Sequence, residues 1–543
     1  MRNIFFLILS CFCLLSVHAQ NETSKDHISL AGIWNFKLDP LNISIPVKGS
    51  NFVSRFPEEI TLPGSTDQAG KGFKTQDMSS LRLTRMFEYS GAAWYEKENI
   101  FIPESWKDQL LFLFLERVHW ESQVWINGKF VGKEESLSTP HLYDITSYVK
   151  FGDWNTVRIR VDNGNIHDIA YTHAISAETQ TNWNGIIGRM EIQAVSKVHI
   201  TDVQIYPLQK EKRLKIVAQI ANHSNLPVKG DIRIRCHFLN DSQLLHLNEK
   251  NTTFNSSDSL IHLVHYYDLG DKLYTWDEFE PNLYEIDYEI KCCGKSDVQK
   301  IKFGIRDFGT KGTHFTINDI PTFIRGAVNS CEFPITGYPP MSYEEWKKVM
   351  KVYKDYGFNC IRFHSWCPPE SAFQVADELG LYLQVENSDW RFTVGEDEAT
   401  NAFYLDEVQR IFKEYGNHPS FAFFCEGNEL VGKDCVDFLK EMLTEWKKDS
   451  RHLYVAASGY PTVEGSDFFD FYGARPQRWQ EGLKGRFNSQ PLNTRYDYID
   501  YVKKFSIPMV THEIGQWCAY PDFNQISKYI GVLKPYNYEL FRE

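Results

Sequence analysis

Two glutamates, Glu429 and Glu513, are placed for acid–base and nucleophilic chemistry. Glu429 follows Asn428 just after the apolar run 421–425, and Glu513 follows His512 just after another short apolar stretch. The two glutamates lie 84 residues apart, which fits a fourth and a seventh parallel strand with strand–helix units between them. Two carboxylates facing each other suit glycoside hydrolysis, because one protonates the departing oxygen while the other attacks the anomeric carbon or activates water.

Further candidates for substrate contact come at the ends of neighbouring strands in the same region. The carboxyl ends of parallel strands meet at one rim, so side chains at those ends should share a cleft. A tryptophan at this rim could serve as a platform, because the apolar face of a pyranose packs well on a flat ring. The candidates are Arg362, His364 and Trp366 after the second strand, Asp389 and Trp390 after the third, and Tyr472 after the sixth. For Arg362 a structural ion pair stays open, as does a packed core position for His364.

Strand–helix alternation over residues 306–543 is the element pattern that must position these side chains. Predicted strands start near residues 323, 360, 382, 421, 453, 468 and 508, and the intervening helices cover about 343–356, 372–379, 402–415 and 434–448. Ser342 and Glu345 form a capping box that opens the first of these helices, and Gly357 stops it. The pattern predicts a (β/α)8-type TIM barrel with its reactive residues at the carboxyl ends of the strands.

Only seven barrel strands can be counted, and the 30 residues that follow Glu513 contain one predicted helix, over 524–532. An eighth strand and its helix need about 30 more residues than the chain contains. We therefore expect a barrel that lacks its last β/α unit, in a truncated or split form of a longer enzyme. Unpaired strand edges would make such a chain weakly active or prone to aggregation by itself.

Two all-β regions precede the barrel pattern. Residues 26–198 contain many short alternating strands, among them 111–115, 122–126 and 156–161, and favour a jelly-roll domain that binds sugar. Asn127-Gly128 predicts a tight hairpin turn, because both positions of a type I′ turn need positive φ. Residues 199–305 alternate in the same way over about a hundred residues and predict an immunoglobulin-like β-sandwich.

The first 19 residues have the features of a secretory signal peptide. Arg2 supplies a positive start, an apolar stretch follows, and a small residue, Ala19, precedes the expected cleavage site. The apolar stretch is shorter than the roughly 20 residues that span a bilayer. We expect export to the periplasm or the exterior of a Gram-negative bacterium, with a lipid anchor at Cys11 left open.

The amino-acid composition limits the kinds of molecule that the protein is expected to bind. The chain has 58 Lys and Arg against 71 Asp and Glu, and this net charge of −13 disfavours nucleic acid or an anionic membrane as partner. Its 11 cysteines form no Cys-x-x-Cys pair, so the spacing predicts no zinc site. The sequence thus predicts a carbohydrate partner, no cofactor, no metal and no membrane span, and it leaves a homo-oligomer open.

Several motifs together resemble glycoside hydrolase family 2, the family of β-galactosidases, β-glucuronidases and β-mannosidases. The order jelly roll, immunoglobulin-like domain and barrel is similar to the family's order over nearly the whole chain. The resemblance implies that Glu429 is the acid/base, that Asn428 contacts the sugar 2-hydroxyl, that Glu513 is the nucleophile and that Tyr472 hydrogen-bonds it. The motifs are Gly304-Ile305-Arg306, the segments 315–321 and 323–329, Gly427-Asn428-Glu429 and Thr511-His512-Glu513-Ile514-Gly515.

Two departures mark a divergent member. The family usually has a His soon after the Asn of its first strand, whereas Asn329 is followed by Ser330-Cys331-Glu332. A His-Tyr-Pro-like turn usually follows the Arg of the second strand, and residues 363–369 differ from it. The resemblance implies a retaining exo-β-glycosidase that removes terminal β-linked, galactoside-like or uronide-like sugars. The alternative is a non-catalytic carbohydrate-binding protein or an inactive fragment of such an enzyme.

Overall fold

The computed structural model describes most of the chain. The described residues are 26–43, 56–75, 78–240, 245–246, 248–271, 273–471, 491, 499–514 and 520–543. The predicted signal peptide, residues 1–19, lies outside them. Within these ranges no helix combines the length and the apolar character that crossing a bilayer requires.

The first domain is a sandwich of two antiparallel sheets. Alternating apolar side chains, such as Trp34, Leu113 and Ile159, fill the space between the sheets and are fully buried. The turn Asn127-Gly128 has φ angles of 51° and 78°, as the hairpin prediction requires. The strands are Asp26–Ser29, Gly32–Asp39, Glu58–Leu62, Gly64–Ser65, Phe73–Lys74, Thr84–Arg85, Phe87–Glu88, Ala92–Ile102, Leu110–Val118, Glu121–Ile126, Lys129–Glu135, His141–Asp144, Asp153–Asp162 and Gly185–Val195.

The second domain is a smaller antiparallel sandwich. A three-stranded and a five-stranded sheet enclose a core that includes Ile216, Ile234 and Tyr288. Alternation of apolar and polar residues along each strand gives one buried and one solvated face. The strands are Val198–Leu208, Arg213–Asn222, Val228–Phe238, Leu245–His246, Lys250–Ser256, Leu260–Asp268, Tyr284–Cys292 and Lys295–Phe303.

A short antiparallel meander leads into a third domain built on parallel strands. The described part of this domain holds seven such strands, hydrogen-bonded in order from the first to the seventh. They begin close to the seven predicted positions. The meander comprises Phe308–Lys311, His314–Ile317 and Ile320–Thr322. The parallel strands are Gly326–Asn329, Cys360–Phe363, Tyr382–Asp389, Phe421–Gly427, Leu453–Val455 with its continuation Ser458–Gly459, Phe469–Phe471 and Met509–Thr511.

The fourth parallel strand shows why the sequence adopts this arrangement. All seven residues of Phe421–Gly427 are buried, and a continuous apolar run is what a strand covered on both faces requires. Helices cover the outer face and pack Trp346, Val408 and Leu439 against the strands. The described helices are Tyr343–Asp355, Glu370–Leu379, Glu398–Tyr415, Cys435–Trp446, Ile499–Val502 and Tyr536–Arg542.

Helix boundaries match the predictions in part. Ser342 caps the first helix and accepts a hydrogen bond from the Glu345 backbone, as the capping box predicts. The third helix begins at Glu398, four residues earlier than predicted, because Asp397 caps it by accepting from the Thr400 backbone. The predicted helix over 524–532 is wrong, since this segment forms a short 3-10 turn, Phe523–Lys528.

The last short strand belongs to a domain contact. Leu533–Lys534 pairs antiparallel with Thr84–Arg85 of the first domain rather than with the parallel strands. Among the described strands, no ladder joins the first parallel strand to the seventh. The fold is therefore multidomain and mostly β, with seven parallel strands that bring their carboxyl ends to one side.

Candidate active site

Glu429 and Glu513 share one cleft at the carboxyl ends of the fourth and seventh parallel strands. The Nε2 atom of His512 lies 3.5 Å from Oε1 of Glu429 and 3.3 Å from Oε1 of Glu513. The side chain of Glu429 is 25% exposed and that of Glu513 is 15% exposed, so both reach solvent from a recessed position. Two carboxylates in one cleft, as predicted from their spacing, can divide acid–base and nucleophilic roles.

The backbone at both glutamates is in the left-handed region. Glu429 has a φ of 48° and Glu513 a φ of 43°. A residue other than glycine in this region costs of order 1–3 kcal/mol and persists where the surroundings fix it, commonly at functional sites. The Glu429 backbone is fixed by the hydrogen bond from its N–H to the Ser458 carbonyl, which is 2.8 Å long. The strained turns direct both side chains into the cleft.

Arg362 connects the candidate nucleophile with the candidate acid/base strand. Its Nη1 lies 3.3 Å from Oε1 of Glu513, and its Nη2 donates to Oδ1 of Asn428 over 2.8 Å. Its Nε donates to Glu386 over 2.6 Å, so the guanidinium also compensates a fully buried carboxylate. Arg362 thus lies at the site and also forms the structural ion pair, while its contact with substrate stays a prediction.

His364 supports Glu513 directly. Its Nε2 lies 2.9 Å from Oε1 of Glu513. Burial raises the pKa of Glu513, but the hydrogen bond from His364 and the interactions with His512 and Arg362 outweigh burial and hold this pKa well below its usual value. Glu513 is therefore ionised at neutral pH, which is the state a nucleophile needs.

Asp389 lies in a buried ion pair with Arg391. Both Asp389 and Arg391 are fully buried, and the Arg391 Nε is 2.9 Å from Oδ2 of Asp389. Burial and the Asp389 carboxylate raise the pKa of neighbouring Glu426 to about 8, so Glu426 is protonated at neutral pH. The carboxylate of Asp389 is therefore neutralised by Arg391, and its predicted contact with substrate stays a prediction.

The two predicted aromatic platforms have different surroundings. Trp366 is 3% exposed, with its ring packed against Phe363 and Trp346, so the prediction that it forms a platform is wrong. The residue follows the strand end, but the chain turns its ring back into the apolar core. Trp390 is half-buried, and its ring centroid lies 4.9 Å from that of His364. Trp390 therefore lines the cleft, while Tyr472 lies outside the described residues.

Sequence reasoning missed two groups of residues at the site. The first comprises Asp470 and Ser458, which surround the Nδ1 atom of His512 at 3.8 and 3.0 Å. Asp470 lies in the predicted sixth strand, so its place in that strand could have indicated it. The second is a loop of the first domain that carries Thr172 and His173 to the second parallel strand. No signal in the sequence links this loop to residues almost two hundred positions away.

No metal centre is formed within the described ranges. Among these residues, no group of three or more His, Cys, Asp or Glu side chains could hold a metal ion. The polar atoms of the cleft instead contact one another through hydrogen bonds and ion pairs. The chemistry that the described site offers is that of two carboxylates, an arginine and two histidines.

The sequence matches family models over its two β domains. Residues 28–189 match the model described as glycosyl hydrolases family 2, sugar binding domain, and residues 198–306 match the model described as glycosyl hydrolases family 2. Both matches coincide with the two sandwiches of the structure. Residues 28–189 and 198–306 are thus domains of glycosyl hydrolases family 2.

The curated relatives include proteins named β-galactosidase and proteins named putative β-glucuronidase. A β-galactosidase of Priestia megaterium is 26% identical over 377 residues, which cover 65% of this chain and 35% of that protein. A putative β-glucuronidase of Formosa agariphila is 24% identical over 509 residues, which cover 90% of this chain and 56% of that protein. The matched part of this chain thus spans about a third to a half of the length of these relatives.

Solved structures show the same fold. The apo β-glucuronidase of Ruminococcus gnavus aligns with a TM-score of 0.71 and 18% identity, covering 96% of this chain and 89% of that chain. A β-glucuronidase of Bacteroides uniformis aligns with a TM-score of 0.71 and 15% identity, covering 93% of this chain and 62% of that chain. At these identities the likeness concerns the fold alone.

Proposed function

We propose that this protein is a retaining exo-β-glycosidase that removes terminal β-linked, galactoside-like or uronide-like sugars from oligo- or polysaccharides. Glu513 attacks the anomeric carbon and forms a glycosyl-enzyme while Glu429 protonates the departing oxygen. Glu429 then deprotonates the water that releases the sugar. The observation that carries the proposal is the position of both carboxylates against Nε2 of His512 in one cleft. Family membership agrees with it.

The proposal includes a barrel of the (β/α)8 type around this cleft. Seven parallel strands paired in order support it, as does the position of both glutamates at the carboxyl ends of their strands. In such barrels the active site lies at that face. We also propose that the protein is exported to the periplasm or the cell exterior, where polysaccharide substrates are accessible.

The electrostatics of Glu513 support its proposed role as the nucleophile. Glu513 contacts Arg362 and His364, and its pKa is held low, which keeps a nucleophile ionised. Arg362 donates to Oδ1 of Asn428 and thereby orients that amide, whose NH2 group can then donate to a sugar hydroxyl. This orientation fits the 2-hydroxyl contact implied for Asn428.

An aromatic wall beside Trp390 fits a sugar or the group attached to it. The rings of Tyr171 and Phe392 lie 5.8 Å apart, and Tyr171 also meets Trp390 edge-on at 6.1 Å. Tyr171 is 44% exposed and Phe392 is 48% exposed, so both present ring surface to solvent. Flat, half-exposed rings beside a carboxylate pair suit the apolar face of a pyranose.

Two variants at the carboxylates test the mechanism. Glu513→Gln should abolish turnover, because an amide cannot form the glycosyl-enzyme. Glu429→Ala should be slow on natural glycosides but much less impaired on aryl β-glycosides with good leaving groups, because these need no proton at departure. Steady-state rates on a panel of aryl β-glycosides check both variants. Glu464→Gln, at an exposed surface glutamate, is the matched control.

The panel also discriminates the competing function. Equal losses on good and poor leaving groups in Glu429→Ala would reject the acid/base assignment. Sugar binding by the unaltered protein without release from any member of the panel would favour a non-catalytic carbohydrate-binding protein or an inactive fragment. Labelling by a cyclophellitol-type aziridine, located by peptide mass at Glu513, would identify the nucleophile independently of turnover.

A further inference from the structure

A loop of the first domain reaches the candidate active site. Residues 163–184 connect the strands Asp153–Asp162 and Gly185–Val195 and extend to the turn after the second parallel strand. Oγ1 of Thr172 donates to the Ser365 carbonyl over 2.6 Å, and the His173 backbone N–H donates to Oγ of Ser365 over 2.8 Å. Ser365 is buried with a φ of 51°, so the loop supports a strained turn.

The side chain of His173 extends this contact to His364. The Nδ1 atoms of the two histidines are 3.0 Å apart, and Oγ of Ser365 is 3.2 Å from each of them. The His173 ring also stacks on Trp390, with ring centroids 5.7 Å apart and planes at 25°. His173 is thus held in one orientation by polar contacts on one side and by an aromatic ring on the other.

The Glu513 carboxylate determines which ring nitrogen of His364 carries the proton. Glu513 is ionised and can only accept, so the Nε2 atom of His364 at 2.9 Å must carry the proton. A neutral His364 then has a lone pair on Nδ1, and the Nδ1 atom of His173, at 3.0 Å, is placed to donate to it, closer than Oγ of Ser365 at 3.2 Å. A group at position 173 that cannot donate at this point removes the 3.0 Å partner of the His364 Nδ1 atom. The Nε2-protonated form of His364 is then favoured only by Glu513 and Ser365, and the Nδ1-protonated form gains population.

We propose that His173 is a positioning residue for the nucleophile: it fixes the tautomer of His364 across the domain boundary, so that the Nε2 proton of His364 is directed at Glu513. This inference rests on the proposed function for its catalytic consequence. The hydrogen-bonded chain of His173, His364 and Glu513 joins the first domain to the reacting carboxylate.

Both histidines are neutral, as the tautomer argument requires. Burial lowers the pKa of His173 well below its usual value, and the neighbouring His364 and Arg362 lower it further. Burial and Arg362 likewise lower the pKa of His364, although Glu513 opposes them. Each ring therefore carries one N–H group, and the positions of these two protons are coupled.

Two substitutions at His173 distinguish a role in positioning His364 from a role in packing alone. The side-chain amide nitrogen of Asn can occupy the place of Nδ1, whereas that of Gln occupies the place of Nε2. His173→Gln should lower kcat about tenfold or more with little change in KM, because loss of a partner that orients a functional histidine typically costs about ten- to a hundredfold in activity. His173→Asn should retain kcat within about threefold. His167→Asn and His167→Gln, in the same loop but against Phe403, are the matched controls.

Imidazole ¹⁵N chemical shifts give a readout that does not depend on turnover. The signal of His364, identified by its loss in His364→Asn, should show a protonated Nε2 in the unaltered protein and in His173→Asn. It should show a tautomer mixture in His173→Gln. Equal kcat for the Asn and Gln variants, or an unchanged tautomer in His173→Gln, would overturn the inference. An unaltered protein that releases no sugar would reject the proposed function, and the tautomer measurement would still decide the role of His173.

Discussion

Arg362 shows how one side chain can serve structure and chemistry together. Its guanidinium meets Glu386 at 2.6 Å, Asn428 at 2.8 Å and Glu513 at 3.3 Å, in three directions. A planar fork with five N–H donors can make these contacts at once, whereas the ammonium group of lysine acts as a single point. The fixed charge of Arg362 also explains why Glu386 can be fully buried close to the recessed carboxylate of Glu513.

His418, in contrast to Arg362, is a charged residue whose contacts serve only the structure. Its Nδ1 lies 2.6 Å from Asp377 and its Nε2 lies 3.1 Å from Glu370. Burial alone would lower the pKa of His418, but the two carboxylates outweigh burial and raise this pKa to about 10. His418 is therefore protonated in the folded protein at neutral pH.

His418→Asn should destabilise the protein in a pH-dependent way. A pKa raised on folding contributes stability that is fully present below about pH 6.5 and is lost as pH rises towards about 10. The difference in unfolding free energy between the variant and the unaltered protein should therefore be larger at about pH 6 than at about pH 10. Urea unfolding at both pH values measures it.

The exposed His314 provides the control for this comparison. His314→Asn should leave the unfolding free energy nearly unchanged at both pH values, since surface substitutions usually have small effects. A destabilisation by His418→Asn that is the same at both pH values would contradict a charged His418 and indicate lost packing instead.

At the residue scale, the position of a side chain relative to its strand decided which predictions succeeded. Glu429 and Glu513 could be predicted to share a cleft because the ends of parallel strands meet at one side. Trp366 could not be assigned correctly, because one residue of turn separates a side chain facing the cleft from one facing the core. His173 could not be predicted at all, since its contact with His364 spans 191 positions of the chain.

Among the elements, the third and fourth parallel strands approach each other very closely at Gly427. A Cβ atom on Gly427 would lie 2.0 Å from the carbonyl oxygen of Asp389. The next residue, Asn428, donates its backbone N–H to the same oxygen over 3.0 Å. Only a glycine permits this contact. The contact determines how far Asn428 and Glu429 extend into the cleft.

Gly427→Ala should displace the segment that carries Glu429, the proposed acid/base. We expect a loss of about 1–3 kcal/mol in unfolding free energy, the usual cost of overpacking. We also expect kcat to fall more than tenfold, because a shift of about 1 Å at a catalytic group can cost a hundredfold. Denaturant unfolding and steady-state kinetics measure the two effects.

Gly309→Ala is a matched control in another strand. The nearest atom to a Cβ at this position is Oγ1 of Thr316 at 3.5 Å, an ordinary contact. It should therefore change stability and kcat little. A Gly427→Ala variant with unaltered kcat would show that the fourth strand tolerates displacement and that its height is not critical for Glu429.

Element types were more predictable than their limits. The capping box at Ser342 and the apolar run at 421–425 each follow from local sequence, and both elements formed as predicted. The third helix begins earlier than its apolar periodicity indicates, because the Asp397 cap stabilises its polar first turn. The 3-10 turn Phe523–Lys528 has no periodic signal that separates it from an α-helix over so few residues.

On the scale of the whole molecule, the domains are joined by buried contacts rather than by flexible linkers. Trp276 is fully buried, lies edge-on to Tyr382 and donates its indole N–H to the Asp377 carbonyl over 2.8 Å. Arg306 donates to the carbonyls of Pro419 and Phe421, at the start of the fourth parallel strand. The β-sandwiches therefore brace the strands that hold the site.

Trp276→Ala should weaken this coupling. Loss of a buried tryptophan typically costs about 3–5 kcal/mol. We expect the unaltered protein to unfold in one calorimetric transition and the variant to show two, with the third domain unfolding first. Trp154→Ala, at a tryptophan that is 57% exposed, should keep a single transition near the original temperature. Two transitions in the unaltered protein would contradict the coupling.

The order of domains could be predicted from the sequence, because alternation with a period of two gives way to strand–helix alternation near residue 306. How the domains meet could not be predicted. The contacts of Trp276 and Arg306 depend on packing between distant segments, which no local pattern encodes.

The loop 163–184 has a consequence for recombination between relatives. A chimera that keeps residues 306–543 but takes its first domain from another family member would replace the neighbour of His364 and the ring at position 171 by the residues that this member carries there. Such an exchange can alter the candidate active site without a single substitution in the part that carries both glutamates. The first domain should therefore not be exchanged by itself. In engineering, it should be kept together with residues 306–543.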